Sequence, residues 1–451
     1  MTVAETLADF LVGTRYEDLP HQAVDHAAMI VASTLASAAP GREIDSARIV
    51  RAIEQERGGT PEASVWYDAG PKLPVVGAAR ANALMSDAAA SDDSDLRNIV
   101  HAGTPVTATA LAVAEKMGAS GKDMLAAIVC GYELAGRMGE AIIPRFDYRG
   151  FHGCMGATFA ATGAAARLYG LNAGQAAHAI VLTATSIGGI TRSADTSVAR
   201  EYHAGNATML GIEAVLAARR GYTGELQLLE MGRGFCELIR GDRDGIDGLT
   251  QDLGKDWDIV TDMAIKMMPG AHPYHAIAEA AANAAREGRI DPAKIAAVFV
   301  SRPNQKALPG PVHPKDLVDM AHSAAFFAAA GICDGHLGWA HATPEKIADP
   351  AIHAVCDRVR GGPEIAGDLS AYRQGASVSI ETTDGRAVTS TVHIPNGAGC
   401  RGIAWADIEV KYRALGPAAM TGVQVEKSLA AIRGLPEAAD VSDLIGTLRP
   451  S

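Results

Sequence analysis

Gly156-Ala-Thr-Phe-Ala-Ala-Thr-Gly-Ala-Ala-Ala166 consists almost entirely of Gly, Ala and Thr. Small side chains let helices approach one another closely, because the distance between helix axes depends on the residues at the contact. The stretch lies within a helical pattern over 154–169. Similar patterns predict further helices at 44–57, 74–90, 105–117, 121–142, 172–186, 197–220 and 225–240. We therefore expect a tight bundle, and the lack of a fixed repeat argues against a solenoid.

The pattern changes after about residue 258. A β-type run covers 295–301, and alternating runs at 376–381 and 387–393 flank Asp384-Gly385, which is a hairpin signal. Helical patterns at 317–332 and 344–359 lie between them, and helices return from Trp405 onward. The sequence thus predicts a mainly α protein. Its parts are a large all-helical body (1–266), a smaller α+β domain (267–400), and C-terminal helices that return to the body (401–451).

The charge balance of the chain limits the kinds of partner that it can bind. The chain has 451 residues, with 40 Lys and Arg against 52 Asp and Glu, and a formal net charge of −12. An acidic chain lacks the basic surface that binds nucleic acid or an anionic membrane. An anionic substrate would have to be held by a few well-placed cations.

Cysteine spacing and the N-terminus bear on cofactors and location. The six cysteines, at 130, 154, 236, 333, 356 and 400, form no CxxC pair, which disfavours a zinc ribbon or a local iron–sulfur motif. No phosphate-binding loop or strand-bound GxGxxG occurs. The N-terminal segment carries acids where a signal peptide has cations, and no apolar run reaches the ~18 residues of a membrane span. We expect a cytoplasmic protein without a cofactor or bound metal.

An acidic segment, Ser91-Asp92-Asp93-Ser94-Asp95, is followed by His101-Ala-Gly103. Three carboxylates so close together cannot all be buried without partners, so capping of a neighbouring helix is one interpretation. Another is that His101 lies at the mouth of the next helix, where a substrate carboxylate meets backbone N–H groups. A third is a Mg²⁺ or Ca²⁺ site formed by the aspartates and His101.

Three other segments place His or cations beside glycine or at the end of a predicted helix. They are Gly150-Phe-His152-Gly153, Arg200-Glu-Tyr-His203, and the stretch from Lys266 to His275. Arg200 and His203 share one helical face, although an ion pair with a nearby acid would explain the arginine equally well. Cations that bind an anion, together with His or Asp that moves protons, favour chemistry on carboxylates.

At these same segments the sequence resembles the MmgE/PrpD family, which includes 2-methylcitrate dehydratase, cis-aconitate decarboxylase and iminodisuccinate epimerase. The resemblance follows nearly the whole chain in order. Its motifs are Asp92-Asp93 with His101-Ala-Gly103, Gly150-Phe-His152, Arg200-Glu-Tyr-His203-Ala-Gly205, and Lys266 with His275-Ala-Ile-Ala-Glu-Ala.

The resemblance implies a homodimer in which the α+β domain is a lid over a cleft. It implies acid–base chemistry on a small di- or tricarboxylate without a metal or organic cofactor. Carried over residue by residue, it assigns catalysis to Asp93, His101, His152 and Lys266. It assigns substrate binding to Arg200, His203, His275 and again Lys266.

The sequence departs from the family pattern at four places, one of which is the loss of the proline that follows His101. Arg200 stands where the family has lysine, and Asp95 adds a negative charge after the aspartate pair. Phe326 stands where the family has a tyrosine hydroxyl, in His322-Ser-Ala-Ala-Phe326. Because arginine does not donate a proton in practice, these changes bear directly on which reaction is catalysed.

The leading hypothesis is a lyase that removes a proton α to a carboxylate and then loses a β-hydroxyl, which makes it a dehydratase. His152 is the preferred base, with His101 as the alternative, because imidazole titrates near neutral pH. An epimerase or isomerase, or a decarboxylase, on the same scaffold are the alternative enzymes. A carboxylate-binding protein with a decayed site is the alternative outside enzymes.

Overall fold

The computed structural model describes residues 1–142, 149–305, 307–365 and 367–450. The chain divides into two compact units. The first comprises Met1–Ile265 together with Ala404–Ser451, and the second comprises Lys266–Ile403.

In its described residues the first unit is mainly helical and contains one short two-stranded ladder. Its ladder joins β1 (Asp93–Asp95) to β2 (Met263–Ile265) in antiparallel register. Before the second unit its helices are α1 Val3–Gly13, α2 His21–Gly41, α3 Asp45–Arg57, α4 Val75–Ala88, α5 Gly103–Met117, α6 Gly121–Ile142, α7 Cys154–Leu168, α8 Ala173–Ser186, α9 Thr191–Thr196, α10 Ala199–Arg219, α11 Phe235–Arg240 and α12 Asp258–Thr261.

Glycines bring α6 and α7 into backbone contact. A Cβ on Gly163 would lie 2.9 Å from the Cα of Gly131, and one on Gly131 would lie 2.6 Å from the carbonyl oxygen of Ala160. No side chain fits at such distances without a shift of backbone, so small residues on both helices are required. The expectation of a close-packed bundle is confirmed here.

Most predicted helices of the first unit are confirmed, and one is wrong over most of its length. In place of a helix over 225–240, the chain forms turns until α11 begins at Phe235. Gly234 explains the break, because a Cβ there would lie 2.4 Å from the carbonyl oxygen of Leu228. The backbone folds back on itself at a distance that only glycine allows.

The second unit contains a four-stranded sheet in the order β4-β3-β5-β6. The strands are β3 Ile295–Ser301, β4 Val359–Gly361, β5 Ala376–Thr382 and β6 Ala387–Val392. β3 pairs in parallel with β4 and antiparallel with β5, and the predicted hairpin joins β5 to β6. Its helices are α13 His275–Gly288, α14 Leu317–Ala321, α15 Ala324–Asp334, α16 Pro344–Ile347 and α17 Pro350–Cys356.

Two helices predicted in this unit are each divided in two. Ser323 interrupts the first, because its hydroxyl accepts the N–H of Phe326 at 3.0 Å and starts α15. Asp349 interrupts the second and caps α17 in the same way, through the N–H of Ala351 at 2.9 Å. Side chains that cap a helix compete with continuation of the preceding one.

After the second unit the chain returns to the first in α18 Trp405–Leu415, α19 Gly422–Arg433 and α20 Ser442–Thr447. The predicted class, mainly α with a small α+β part, is confirmed. Among the described residues, no helix has both the length and the apolar character needed to cross a bilayer.

Candidate functional site

The acidic segment is a buried, tightly folded part of the first unit. In the ladder Asp93 lies opposite Ile265, and Asp95 lies opposite Met263. The carboxylate of Asp95 accepts the backbone N–H groups of Arg97 (2.7 Å) and Asn98 (3.2 Å). A turn follows in which Ile99 adopts a φ of 57°, a costly conformation for a β-branched residue. This strained turn leads directly into His101.

Asp93 caps α5. The N–H of Gly103 donates to both carboxylate oxygens of Asp93, at 3.0 and 2.9 Å, and the hydroxyl of Tyr132 donates to Oδ2 at 3.1 Å. Burial of the Asp93 carboxyl group raises its pKa to about 6, and the negative charge of Asp92 is the second cause of this shift. A Cβ on Gly103 would lie 2.6 Å from Oδ1 of Asp93, so glycine is needed for this contact. The capping interpretation is thus confirmed, and the N–H of Gly103 is used by the protein itself.

Nδ1 of His101 faces two acceptor oxygens. It lies 2.8 Å from Oδ2 of Asp92 and 2.6 Å from the carbonyl oxygen of Asp93. Because a carbonyl oxygen can only accept, Nδ1 carries the proton and donates. The neutral ring therefore keeps its lone pair on Nε2. An imidazole backed by a carboxylate in this way is suited to act as a general base.

His152 has the opposite tautomer. It lies in the loop before α7, and its Nδ1 accepts the backbone N–H of Cys154 at 3.3 Å. The neutral ring of His152 therefore carries its proton on Nε2. A neutral imidazole with this proton is a hydrogen-bond donor, which can stabilise negative charge that develops on a substrate.

Three histidine rings form a row in the first unit. The rings of His101 and His152 are 6.2 Å apart between centroids, and those of His152 and His203 are 5.2 Å apart. His203 lies on α10, and burial lowers its pKa. The structure therefore brings together three of the histidines that were predicted from separate motifs.

Arg200 lies one turn before His203 on α10 and is paired. Its Nε is 3.2 Å from Oδ2 of Asp87, and its Nη2 donates to the backbone carbonyl of Asp87 at 2.7 Å. Glu201 lies near the same guanidinium, at 3.8 Å. The ion pair considered from sequence is present, and substrate binding by Arg200 stays a prediction.

The remaining predicted residues belong to the second unit. Lys266 is buried, and His272 and His275 are buried beside each other with ring centroids 4.7 Å apart. Nδ1 of His272 contacts Oε1 of Gln374 at 2.6 Å, and the ring of His275 stacks on Phe327. The roles predicted for Lys266 and His275 stay predictions.

Lys411 is a residue of the candidate site that the sequence motifs did not indicate. Lys411, on α18, is fully buried, and its Nζ donates to Oγ of Ser33 at 2.8 Å and to the backbone carbonyls of Ser91 and Asp92. It thereby ties the C-terminal helices to the acidic segment. A lysine at an inward position of an amphipathic helix was the available signal.

Family models match most of the chain. The model of the MmgE/PrpD N-terminal domain matches residues 5–245, and that of the MmgE/PrpD C-terminal domain matches residues 269–435. The chain therefore belongs to the MmgE/PrpD family, as the motifs indicated.

Two relatives illustrate how distant the similarity is. Human cis-aconitate decarboxylase is 22% identical over 99% of this chain and 95% of its own length. The cis-aconitate decarboxylase-like protein oryM of Aspergillus oryzae is 24% identical over 73% of this chain and 71% of its own length.

Proposed function

We propose that this protein is a cofactor-independent lyase that acts on a small di- or tricarboxylate by proton transfer at the carbon α to a carboxylate. The proposal rests on the opposite tautomers of His101 and His152, which are neighbours in the row of histidine rings. One ring has a lone pair on Nε2 and the other has a proton there. A base and a donor are the two groups that removal of an α-proton requires.

His101 takes the α-proton on Nε2 in this proposal, and Asp92 stabilises the resulting imidazolium. His152 donates its Nε2 proton as a hydrogen bond to the substrate carboxylate, where negative charge accumulates. These roles differ from the sequence-based preference for His152 as the base. The reason is that the lone pair of His152 lies on Nδ1, where it accepts the N–H of Cys154.

Dehydration follows if the β-carbon carries a hydroxyl. The C–H bond electrons form the double bond, and the C–O bond breaks with its electron pair on oxygen. The imidazolium of His101 returns its proton to that oxygen, so water leaves and the enzyme is restored. One residue thus acts as base and then as acid, which needs no metal.

Decarboxylation is the second candidate, because the relatives described above carry cis-aconitate decarboxylase in their names. His101 first takes a proton from solvent on Nε2. The C–C bond to the departing carboxylate then breaks, CO₂ leaves, and the imidazolium of His101 protonates the electron pair at carbon. Both reactions use the same two histidines. They differ in which bond of the substrate breaks.

The test is incubation of the protein with a panel of di- and tricarboxylates in D₂O, followed by NMR of each substrate. The panel includes 2-methylcitrate, citrate and cis-aconitate. Loss of water with deuterium exchange at the α-carbon supports the dehydratase, and release of CO₂ with deuterium in the product supports the decarboxylase. Exchange with inverted configuration and no bond cleavage would identify an epimerase and overturn the lyase.

Variants of the two histidines separate their roles. We expect His101→Gln to lose roughly 10²–10⁴ in rate and to abolish exchange. His152→Gln should lose roughly 10²–10³ while exchange by His101 persists. His178→Gln, which alters a half-buried histidine on α8, is the matched control. Exchange at an undiminished rate in His101→Gln would refute the assignment of the base.

A further inference from the structure

A cysteine lies beside the histidine row. Cys154 is buried at the start of α7, and its Sγ is 3.9 Å from the carbonyl oxygen of Gly188. Gly189 follows Gly188 in the chain. Because glycine has no side chain, Gly189 does not separate Cys154 from His203. A Cβ there would lie 2.6 Å from Sγ of Cys154 and 3.7 Å from Nδ1 of His203.

We propose that His152, Cys154 and His203 form a binding site for a zinc-class divalent ion. Each of the three offers one ligand atom, and these atoms all lie within 4.8 Å of one another. Two imidazole nitrogens and a thiolate are ligands that Zn²⁺ prefers, and three protein ligands leave a fourth position open. Nδ1 of His203 is buried without a hydrogen-bond partner within the described part of the chain, so coordination would satisfy it.

A second group of possible ligands fits less well. Ligand atoms of Asp87, Asp92 and His101 also lie within 4.8 Å of one another. The guanidinium of Arg200, however, already neutralises Asp87 at 3.2 Å. Nδ1 of His101 donates to the carbonyl oxygen of Asp93 and lies 2.8 Å from Asp92. A metal ion there would have to displace one cation and remove one proton. At the His152–Cys154–His203 group no cation has to be displaced. The thiol of Cys154 must lose its proton, and His152 must either release its Nε2 proton or give up the hydrogen bond that its Nδ1 accepts from the N–H of Cys154.

Occupation of the site should inhibit the enzyme, and this part rests on the proposed function. Bonds of about 2.3 Å to sulfur and about 2.0 Å to nitrogen place tetrahedral ligand atoms roughly 3.3–3.6 Å apart. The present ligand atoms lie within 4.8 Å of one another, so coordination would draw any pair in by at most about 1.5 Å. Coordination would also hold the ring of His152 at the metal, away from the position from which it serves the substrate. A misplacement of about 1 Å can cost roughly 10²-fold in rate.

The binding test needs no activity. The full-length protein, with the exposed Cys400 changed in Cys400→Ser, is titrated with Co²⁺ and then with Zn²⁺. We expect one Co²⁺ per chain with a thiolate-to-cobalt charge-transfer band, and displacement of that Co²⁺ by Zn²⁺. Cys154→Ser should remove the band and weaken Zn²⁺ binding by more than roughly 10-fold.

Further variants test whether the metal binds at these particular residues. His203→Gln should weaken Zn²⁺ binding as well, whereas Cys236→Ser, which changes another buried cysteine of the same unit, should not. A titration without the charge-transfer band, or a band that persists in Cys154→Ser, would overturn the proposed site.

Activity then tests inhibition separately. Saturating Zn²⁺ should slow turnover of the best substrate roughly 10²-fold, and a chelator should restore it. Bound Zn²⁺ without inhibition would refute the inhibitory role and leave the site standing. Lack of turnover of any carboxylate would refute the proposed function, while the cobalt spectrum would still decide the site.

Discussion

Asp93 illustrates how the contribution of a capping residue at the candidate site to stability depends on pH. Its folded-state pKa is raised to about 6 from an ordinary 3.8, because burial and Asp92 oppose ionisation. Between these two pH values the folded chain binds more protons than the unfolded chain, so stability falls as the pH rises. The penalty is absent below about 3.8 and fully developed above about 6.

Asp93→Asn should therefore change the pH dependence of stability. Asparagine keeps an acceptor for the N–H of Gly103 but cannot ionise. Relative to the variant, the wild-type free energy of unfolding should decrease by up to about 3 kcal/mol between pH 4 and pH 7. Urea denaturation across this range measures it, with Asp443→Asn on the surface of α20 as the control. Parallel curves for wild type and Asp93→Asn would show that Asp93 ionises normally.

Lys266 is the cation that the family resemblance makes most important. We expect Lys266→Ala to lower kcat/KM for the preferred carboxylate by roughly 10–100-fold, as loss of a charge-assisted hydrogen bond does. His322→Ala should have a smaller effect, because Nδ1 of His322 is engaged with the carbonyl of Val318 at 2.9 Å. Steady-state kinetics of both variants decides this. Unchanged kinetics in a folded Lys266→Ala protein would remove Lys266 from the site.

At the scale of elements, the contact between α6 and α7 requires glycine. Gly131→Ala should destabilise the protein by about 1–3 kcal/mol, because the new methyl group would meet the carbonyl of Ala160. Gly174→Ala on α8 is the control, since its Cβ would meet only Oδ1 of Asn172, at 3.5 Å. Denaturant unfolding measures both. A neutral Gly131→Ala would mean that the two helices separate easily.

The link from α18 to the acidic segment also belongs to this scale. Lys411→Met should cost about 1–3 kcal/mol, because the carbonyls of Ser91 and Asp92 would lose a buried donor. Turnover should fall as well, since Asp92 orients His101. Lys427→Met, at an exposed position of α19, is the matched control. Unchanged stability and turnover in Lys411→Met would show that the acidic segment holds its shape without α18.

For the whole molecule, the family resemblance leads us to expect a homodimer. Light scattering of the purified protein at micromolar concentration should give twice the chain mass of 46.7 kDa. A stable dimer of this kind buries a standard-sized interface or more, so dilution to low micromolar concentration should not dissociate it. A mass of one chain throughout that range would contradict the expectation.

The local sequence pattern was sufficient to predict the long helices and the hairpin. The helix predicted over 121–142 has those same bounds, and the hairpin around Asp384-Gly385 is present. Such elements are encoded within a single stretch by periodicity and turn residues. The helix expected over 225–240 was wrong because Gly234 meets the backbone of Leu228, a contact that periodicity does not reveal.

The short elements that build the site were not predictable in the same way. β1 is only Asp-Ser-Asp, and it forms a strand because Met263–Ile265, far along the chain, supplies its partner. Lys411 likewise reaches the acidic segment from the C-terminal helices. Pairing and burial between distant segments are properties of the folded chain, and composition does not display them.

The sequence by itself determined the helical class, the family, and which histidines and acids were candidates for the site, since each is encoded in a local pattern or motif. Only the tertiary structure decided which nitrogen of each ring bears the proton and which cation is already paired. His101, His152 and Arg200 acquire those properties from Asp93, Cys154 and Asp87. A hydrogen-bond partner at one ring nitrogen fixes the tautomer, and folding is what supplies that partner.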